Sequence, residues 1–304
     1  MKLIISLLFI VTFSIILNAE VAKTYTIAFA QDTLNNDFRL QQVKRIEEIL
    51  NKHPNIRFIY SDANANTSLQ IKQIEDFIYQ GVDLLMTSPY NELATGDVIS
   101  KAYEANIPVI LVGRTTMKGK YTTFIHPDNE QIAFDAAEYI FKQMNFKGHI
   151  LLLTGVPKAD SSRKRIEGFY RSAKKYPEIE VIERRANYLR REAIFEVDKL
   201  LKSGKKFDAI MAHSDSMLSG ARMALKKNGV NPASLITVGI DYIKEAQKAI
   251  RSGQQTSSFV YSLCAKESAE VALKILSGEK VPKEIIIDTL QVTKDNVDAI
   301  KPIF

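Results

Sequence analysis

Short β-rich runs alternate with amphipathic helical stretches along nearly the whole chain, and the alternation starts twice. The first round predicts strands at Thr24–Ala30, Ile56–Tyr60, Val82–Met86, Ile107–Val112 and Tyr121–Ile125. Helices are expected over 37–52, 68–80 and 131–144. In the first of these, Leu40, Val43, Ile46 and Leu50 recur at spacings of three and four, which places them on one face. The second round predicts strands at His149–Leu153, Ile179–Ile182, Asp208–Ala212, Ile236–Gly239 and Ser257–Tyr261. Helices over 162–175, 191–202, 216–228, 243–252 and 265–276 separate and follow them, and strand-like runs follow Glu284. Such alternation means parallel sheets covered by helices on both faces. The strands are too many for one open sheet in 304 residues, so two similar doubly wound halves are expected. A (βα)₈ barrel would need eight even repeats, and the irregular strand pair around Tyr121–Pro127 argues against it.

The N-terminus reads differently. Met1-Lys2 is followed by an apolar run from Leu3 to Leu17, broken only by Thr12 and Ser14, and then by small Ala19. This is the pattern of a secretory signal. The run is shorter than the roughly 20 residues that span a bilayer. Residues 1–19 are therefore expected to direct export to the periplasm and to be cleaved. Leu17 is a poor residue three before the cleavage point, which leaves an uncleaved anchor as the alternative.

Composition excludes several classes. With 46% apolar and 25% charged residues, the chain is neither disordered nor collagenous. Its net charge of +6 comes from 41 bases interspersed with 35 acids, without the basic stripe of a nucleic-acid binder. The single cysteine, Cys264, forbids an intramolecular disulfide and a cysteine-rich metal site. The four histidines form no His-x-x-x-His pair, so no metal is expected.

In open α/β sheets, ligands bind beyond the C-terminal ends of the strands. The residues there are polar: Gln31-Asp32, Ser88 to Tyr90, Gly113-Arg114, His213 to Asp215 and Asp241-Tyr242. They carry neither a Gly-x-Gly-x-x-Gly turn nor a P-loop, so no nucleotide cofactor is expected. No nucleophile elbow or acid–base pair stands out, and the chain does not read as an enzyme.

Five segments at these strand ends carry a resemblance. They are Thr26-Ile-Ala-Phe-Ala-Gln-Asp-Thr-Leu-Asn-Asn-Asp-Phe38, Ile107-Pro-Val-Ile-Leu-Val-Gly-Arg114 and Ser162-Arg-Lys-Arg-Ile-Glu-Gly-Phe169. Ala212-His-Ser-Asp-Ser-Met217 and Val238-Gly-Ile-Asp241 complete the set. In this order and together, the sequence resembles the ribose/galactose-type sugar-binding proteins of the type I periplasmic binding protein family. The resemblance implies two doubly wound parallel-sheet lobes, joined by a hinge of three crossovers and closing on a ligand. The crossovers would fall near Pro127–Asp128, Tyr261–Ser262 and Asp288–Thr289. The N-terminal lobe would comprise 20–127 plus 262–288, and the C-terminal lobe 128–261 plus 289–304.

It also implies a site. Asn36 would hydrogen-bond a sugar hydroxyl and Phe38 would stack on the ring. Arg114 and Arg165 would donate, Tyr188 would face them from the second lobe, and Asp241 would accept. The chain departs from the family pattern at four places: Gly113 replaces an aspartate, Ser214 an asparagine, Arg39 an aromatic, and Tyr261 (or Phe259, allowing for a length difference) a glutamine. Arg39, Arg114 and Arg165, set against Asp32 and Asp241, would accept an acidic sugar as well as a neutral one. Plainer readings stand beside these: Asn36 as a helix cap, Asp241 as a turn residue and Arg165 as a solvated helix residue. The expected function is a monomeric periplasmic receptor that hands a sugar, sugar acid or similar ligand to an ABC permease. The alternative is a sensory co-receptor that presents its ligand to a membrane histidine kinase or chemoreceptor.

Overall fold

The alternation closes into two six-stranded sheets with the same strand order. The computed structural model describes residues 23–304, and the expected export signal at 1–19 lies outside them. The first half runs β1 (Tyr25–Gln31), α1 (Asp37–Leu50), β2 (Ile56–Asp62), α2 (Thr67–Gln80), β3 (Leu84–Thr87), α3 (Gly96–Glu104), β4 (Val109–Val112) and β5 (Thr123–Pro127). The second half runs α4 (Asn129–Gln143), β6 (Gly148–Thr154), α5 (Asp160–Ala173), β7 (Ile179–Arg185), α6 (Arg190–Lys202), β8 (Ala209–Ala212), α7 (Asp215–Lys227), β9 (Ile236–Asp241), α8 (Lys244–Arg251) and β10 (Ser257–Val260). Then come α9 (Ala265–Leu276), β11 (Glu284–Ile287) and β12 (Gln291–Val292).

One sheet has the order β2-β1-β3-β4-β5-β11 and the other β7-β6-β8-β9-β10-β12. The chain passes between the sheets three times: from β5 to β6, from β10 to β11 and from β11 to β12. The pairings are parallel except for the short β10–β12 pair. The architecture is therefore α/β, two doubly wound parallel-sheet lobes linked by three crossovers. Alternate residues of each central strand serve opposite faces, as the two-residue period of a strand requires. Ile27, Phe29, Leu84 and Met86 pack under α1 and α9, while Ala28, Ala30 and Leu85 pack under α2 and α3. In the second lobe, Ile150 and Leu152 meet α4 and α5, and Leu151 and Leu153 meet α6 and α7. Burial on both faces explains why these strands read as unbroken apolar runs.

Helix α3 has no counterpart among the sequence-based expectations. It is short, and Thr95 before it makes no side-chain cap hydrogen bond, so the usual start signal is missing. Helix α2 is signalled clearly: Asn66 Oδ1 accepts from the Leu69 N–H at 3.0 Å, and Gly81 closes the helix at φ +66°. Asn66→Ala is expected to lower stability by about 1 kcal/mol in urea denaturation, the ordinary cost of a lost cap.

Candidate functional site

Parallel strands bring their C-terminal ends to one edge of each sheet, and these two edges face each other across a cleft. Strand β1 delivers Asp32, β4 delivers Gly113 and Arg114, β8 delivers His213 and Ser214, and β9 ends on Asp241. Tyr261 follows β10. The first turns of α1, α5 and α7 add Phe38 and Arg39, Ser161, and Ser216, and the second turn of α5 adds Arg165. Asn36 caps α1 and Tyr188 lies in the β7–α6 turn. Eleven of these residues line a cavity of about 430 Å³, part of which is open to solvent. Nine of the ten residues singled out in the sequence line it: Asn36, Phe38, Arg39, Arg114, Arg165, Tyr188, Ser214, Asp241 and Tyr261. The tenth, Asp32, lies behind the arginines. Ser161 and Ser216 also line the cavity and carry no distinguishing sequence signal.

The first lobe supplies a buried charge cluster. Asp32 accepts from Arg114 Nη1 at 2.5 Å and sits 3.4 Å from Arg39 Nε, with all three side chains buried. Arg39 also donates through Nη1 to Gln42 Oε1 (2.9 Å) and Ser88 Oγ (3.2 Å). Asp32 thus hydrogen-bonds Arg114 and neutralises Arg39 at ion-pair distance, while Gln42 and Ser88 orient the Arg39 guanidinium at the cavity wall. Asn36 does cap α1, accepting from the Arg39 N–H at 2.8 Å, and it lines the cavity as well.

The second lobe holds Arg165 by neutral groups. Its Nε donates to Asn129 Oδ1 at 2.8 Å and its Nη1 to the His213 carbonyl. Asn129 in turn donates to the Tyr261 hydroxyl at 3.2 Å. Asn129 is a positioning residue that sequence reasoning missed, because its two partners are distant in the chain. The Arg165 guanidinium lies 4.6 Å from the Tyr261 ring centre and 5.8 Å from that of Tyr188. Phe38 meets Tyr261 with ring centres 5.6 Å apart. The Tyr188 ring lies against Gly155, where an added Cβ would come within 2.1 Å of Cζ. Only glycine allows that approach.

Asp241 has φ +117° and Tyr242 φ +62°, both in the region that non-glycine residues avoid. Asp215 holds this turn. Its carboxylate accepts from the Tyr242 N–H (2.7 Å), Ser258 Oγ (2.5 Å) and Gln255 Nε2 (2.7 Å). Burial pushes the Asp215 carboxyl up to about 6, against the pull of those hydrogen bonds. Burial raises the Asp241 carboxyl well above the usual carboxylate range, opposed by the Arg165 charge. Burial and then the Arg165 charge push the His213 imidazole well below its ordinary value, so it is neutral. Among the described residues, no three His, Cys, Asp or Glu side chains converge as a metal ligand set.

The lobes touch at the rim. Glu92 accepts from Arg163 Nε at 2.9 Å and Nη2 at 3.0 Å, and the Glu92 N–H donates to the Lys158 carbonyl at 2.9 Å. Asp160, also on the second lobe, is buried against the first-lobe Arg114. Burial raises its carboxyl to about 6, with the Arg114 charge opposing.

The periplasmic binding protein domain matches residues 27–280. The chain belongs to the periplasmic binding protein family. One relative within it is the ribose import binding protein RbsB of Bacillus subtilis, 30% identical over 270 residues, covering 88% of this chain and 87% of that protein. The fructose-binding periplasmic domain of a hybrid two-component system superposes with a TM-score of 0.85 at 29% identity, covering 90% of this chain and 92% of that one. An ABC transporter solute-binding protein from Bacillus halodurans, solved with bound myo-inositol, superposes with a TM-score of 0.86 at 26% identity and covers 91% and 97% of the two chains. In a periplasmic binding protein, a cleft between two sheets is where the fold alone would put a ligand.

Proposed function

We propose that the protein is an exported, monomeric receptor that captures a sugar-like ligand between its lobes and delivers it to an ABC permease. Residues 1–19 serve as the export signal, and the periplasm is the working compartment. Residues 20–127 with 262–288 turn against 128–261 with 289–304 about crossovers near Pro127–Asp128, Tyr261–Ser262 and Asp288–Thr289. One observation carries the reading: a single cavity lined from both lobes by three arginines, three aromatic rings and a buried aspartate. Arginines donate to hydroxyl oxygens, Asp241 accepts from hydroxyls, and Phe38, Tyr188 and Tyr261 cover the weakly apolar ring faces. The cavity's groups serve to bind and orient a ligand.

Binding by closure has a pH signature. Asp160 is buried when the lobes meet and regains an ordinary carboxylate environment when they part. Its carboxyl protonates near 6 in the closed form, against an ordinary value of 3.8. Between these values the closed form binds the extra proton, so acidification favours closure. Ligand affinity is expected to rise about tenfold from pH 7 to pH 5, and Asp160→Asn is expected to flatten that rise. Titration calorimetry at both pH values checks this.

A second reading has its own support, the close superposition with a two-component sensor domain. In that case the closed clamp would signal to a membrane kinase. A thermal-shift screen with pentoses, hexoses, polyols, sugar acids and small carboxylates tests ligand capture. A ligand at 100 times its dissociation constant should stabilise the protein by about 2.7 kcal/mol. A panel without any shift would overturn the reading.

A further inference from the structure

Three guanidinium groups line this cavity, against Asp241 as the carboxylate among its lining residues. Among the described residues, Nη2 of Arg39, of Arg114 and of Arg165 makes no hydrogen bond to the protein, and the buried Nε of Arg114 is unpartnered. Asp32 accepts from Arg114 and lies within ion-pair distance of Arg39, although its Oδ1 accepts no hydrogen bond. Arg165 has no carboxylate within ion-pair distance and is held by an amide and a backbone carbonyl. Asp160 compensates Arg114 from behind the wall and does not line the cavity. That leaves Asp241 as the carboxylate facing inward, and its burial favours the neutral form. A buried guanidinium without an anionic partner is costly, and guanidinium forks match carboxylate and phosphate oxygens in shape and charge.

The approach to the cavity points the same way. A second groove shares Asn36, Tyr188 and Ser216 with it and is lined further out by Arg190 and Arg191. Arg190 is 3.6 Å from Asp37 and 3.4 Å from Glu245, whereas exposed Arg191 has no ion-pair partner among the described residues. Asp37 and Glu245 offset Arg190 here, so Arg191 is the cation that would draw an entering anion.

We infer that the ligand is an anionic sugar, whose carboxylate or phosphate group is received by Arg165 together with the free guanidinium edges of Arg39 and Arg114. The ring then lies among Phe38, Tyr188 and Tyr261. This deepens the sugar-capture reading and rests on it.

The test is titration calorimetry on the intact exported protein with matched pairs. D-galacturonate is compared with D-galactose, D-glucuronate with D-glucose, and D-ribose 5-phosphate with D-ribose. The expected result is that at least one anionic member binds ten or more times tighter than its neutral parent. The pair that shows this identifies the anion as carboxylate or phosphate. Raising the salt concentration should weaken that member and leave the neutral parent nearly unchanged. In Arg165→Gln the preference should fall towards parity. A neutral parent that binds as tightly as its anionic partner, or tighter, overturns this inference and leaves sugar capture standing. Failure of every sugar, neutral and anionic, overturns both. Persistence of the full preference in a folded Arg165→Gln variant overturns the placement of the anion. The salt dependence of the unmodified protein decides the matter should that variant not fold.

Discussion

Replacing Asp32 by alanine is expected to destabilise the protein by about 3–5 kcal/mol, the range for removing one partner of a buried ion pair. The reason is geometric. Asp32 is fully buried and is the carboxylate that contacts both Arg39 and Arg114. Its loss leaves two guanidinium groups with little water and no anion between them. Asp32→Asn should be nearly as damaging, because it keeps the shape but loses the charge. The double variant Asp32→Ala with Arg39→Met should recover part of the loss, since one stranded cation is then gone. Urea denaturation of the three variants measures the coupling. A loss below about 1 kcal/mol in Asp32→Ala would show that water reaches the cluster and that the arginines are not held by Asp32.

Replacing Arg165 by alanine should weaken ligand binding by about 100-fold or more, equivalent to about 2.7 kcal/mol. Arg165 is held within the second lobe and reaches the cavity from there. It sits on α5, stacks on Tyr261 and is aligned by Asn129, whose amide also holds the Tyr261 hydroxyl. Arg165→Lys should restore little of the affinity, because an ammonium can neither reproduce the fork nor stack flat on the ring. Asn129→Ala should produce an intermediate loss by freeing both side chains. Calorimetry reads these effects, and circular dichroism confirms that each variant is folded. Wild-type affinity in both Arg165 variants would remove Arg165 from the site.

The fold was legible in the sequence because local and tertiary demands agree. Central strands are buried on both faces and so read as continuous apolar runs, while each helix shows one apolar stripe. Helix α3 was not legible, since its start lacks a capping side chain and its stripe of Val98, Ile99 and Ala102 is short. At the site, Arg39 and Arg165 were legible only through the family resemblance, because a basic run such as Arg163 to Arg165 reads by itself as a solvated helix face. Ser161, Ser216 and Asn129 were not legible, because they are ordinary first-turn residues of helices. Their role arises only when strand ends from two sheets meet. Asp32 was legible as a strand-end residue but not as a bridge between two arginines. That role depends on β1 and β4 flanking β3 in one sheet. The twist at Asp241 and Tyr242 was equally hidden, because Asp215 and Ser258 hold it from other elements.

The central claim is that the lobes close on a ligand. Helices α2 and α6 follow β2 and β7, the edge strands on the opposite side of each sheet from β11 and β12. Closure should therefore change the distance between them. Spin labels at Tyr79→Cys and Phe195→Cys, both exposed in the native protein, would report it, since native Cys264 is buried. Double electron–electron resonance is then recorded with and without a ligand that shifts the melting temperature. The free protein is expected to give a broad distance distribution that narrows and shortens when the ligand is added. An unchanged distribution at saturating ligand would contradict it, and the cavity would then be a static pocket instead of a closing clamp.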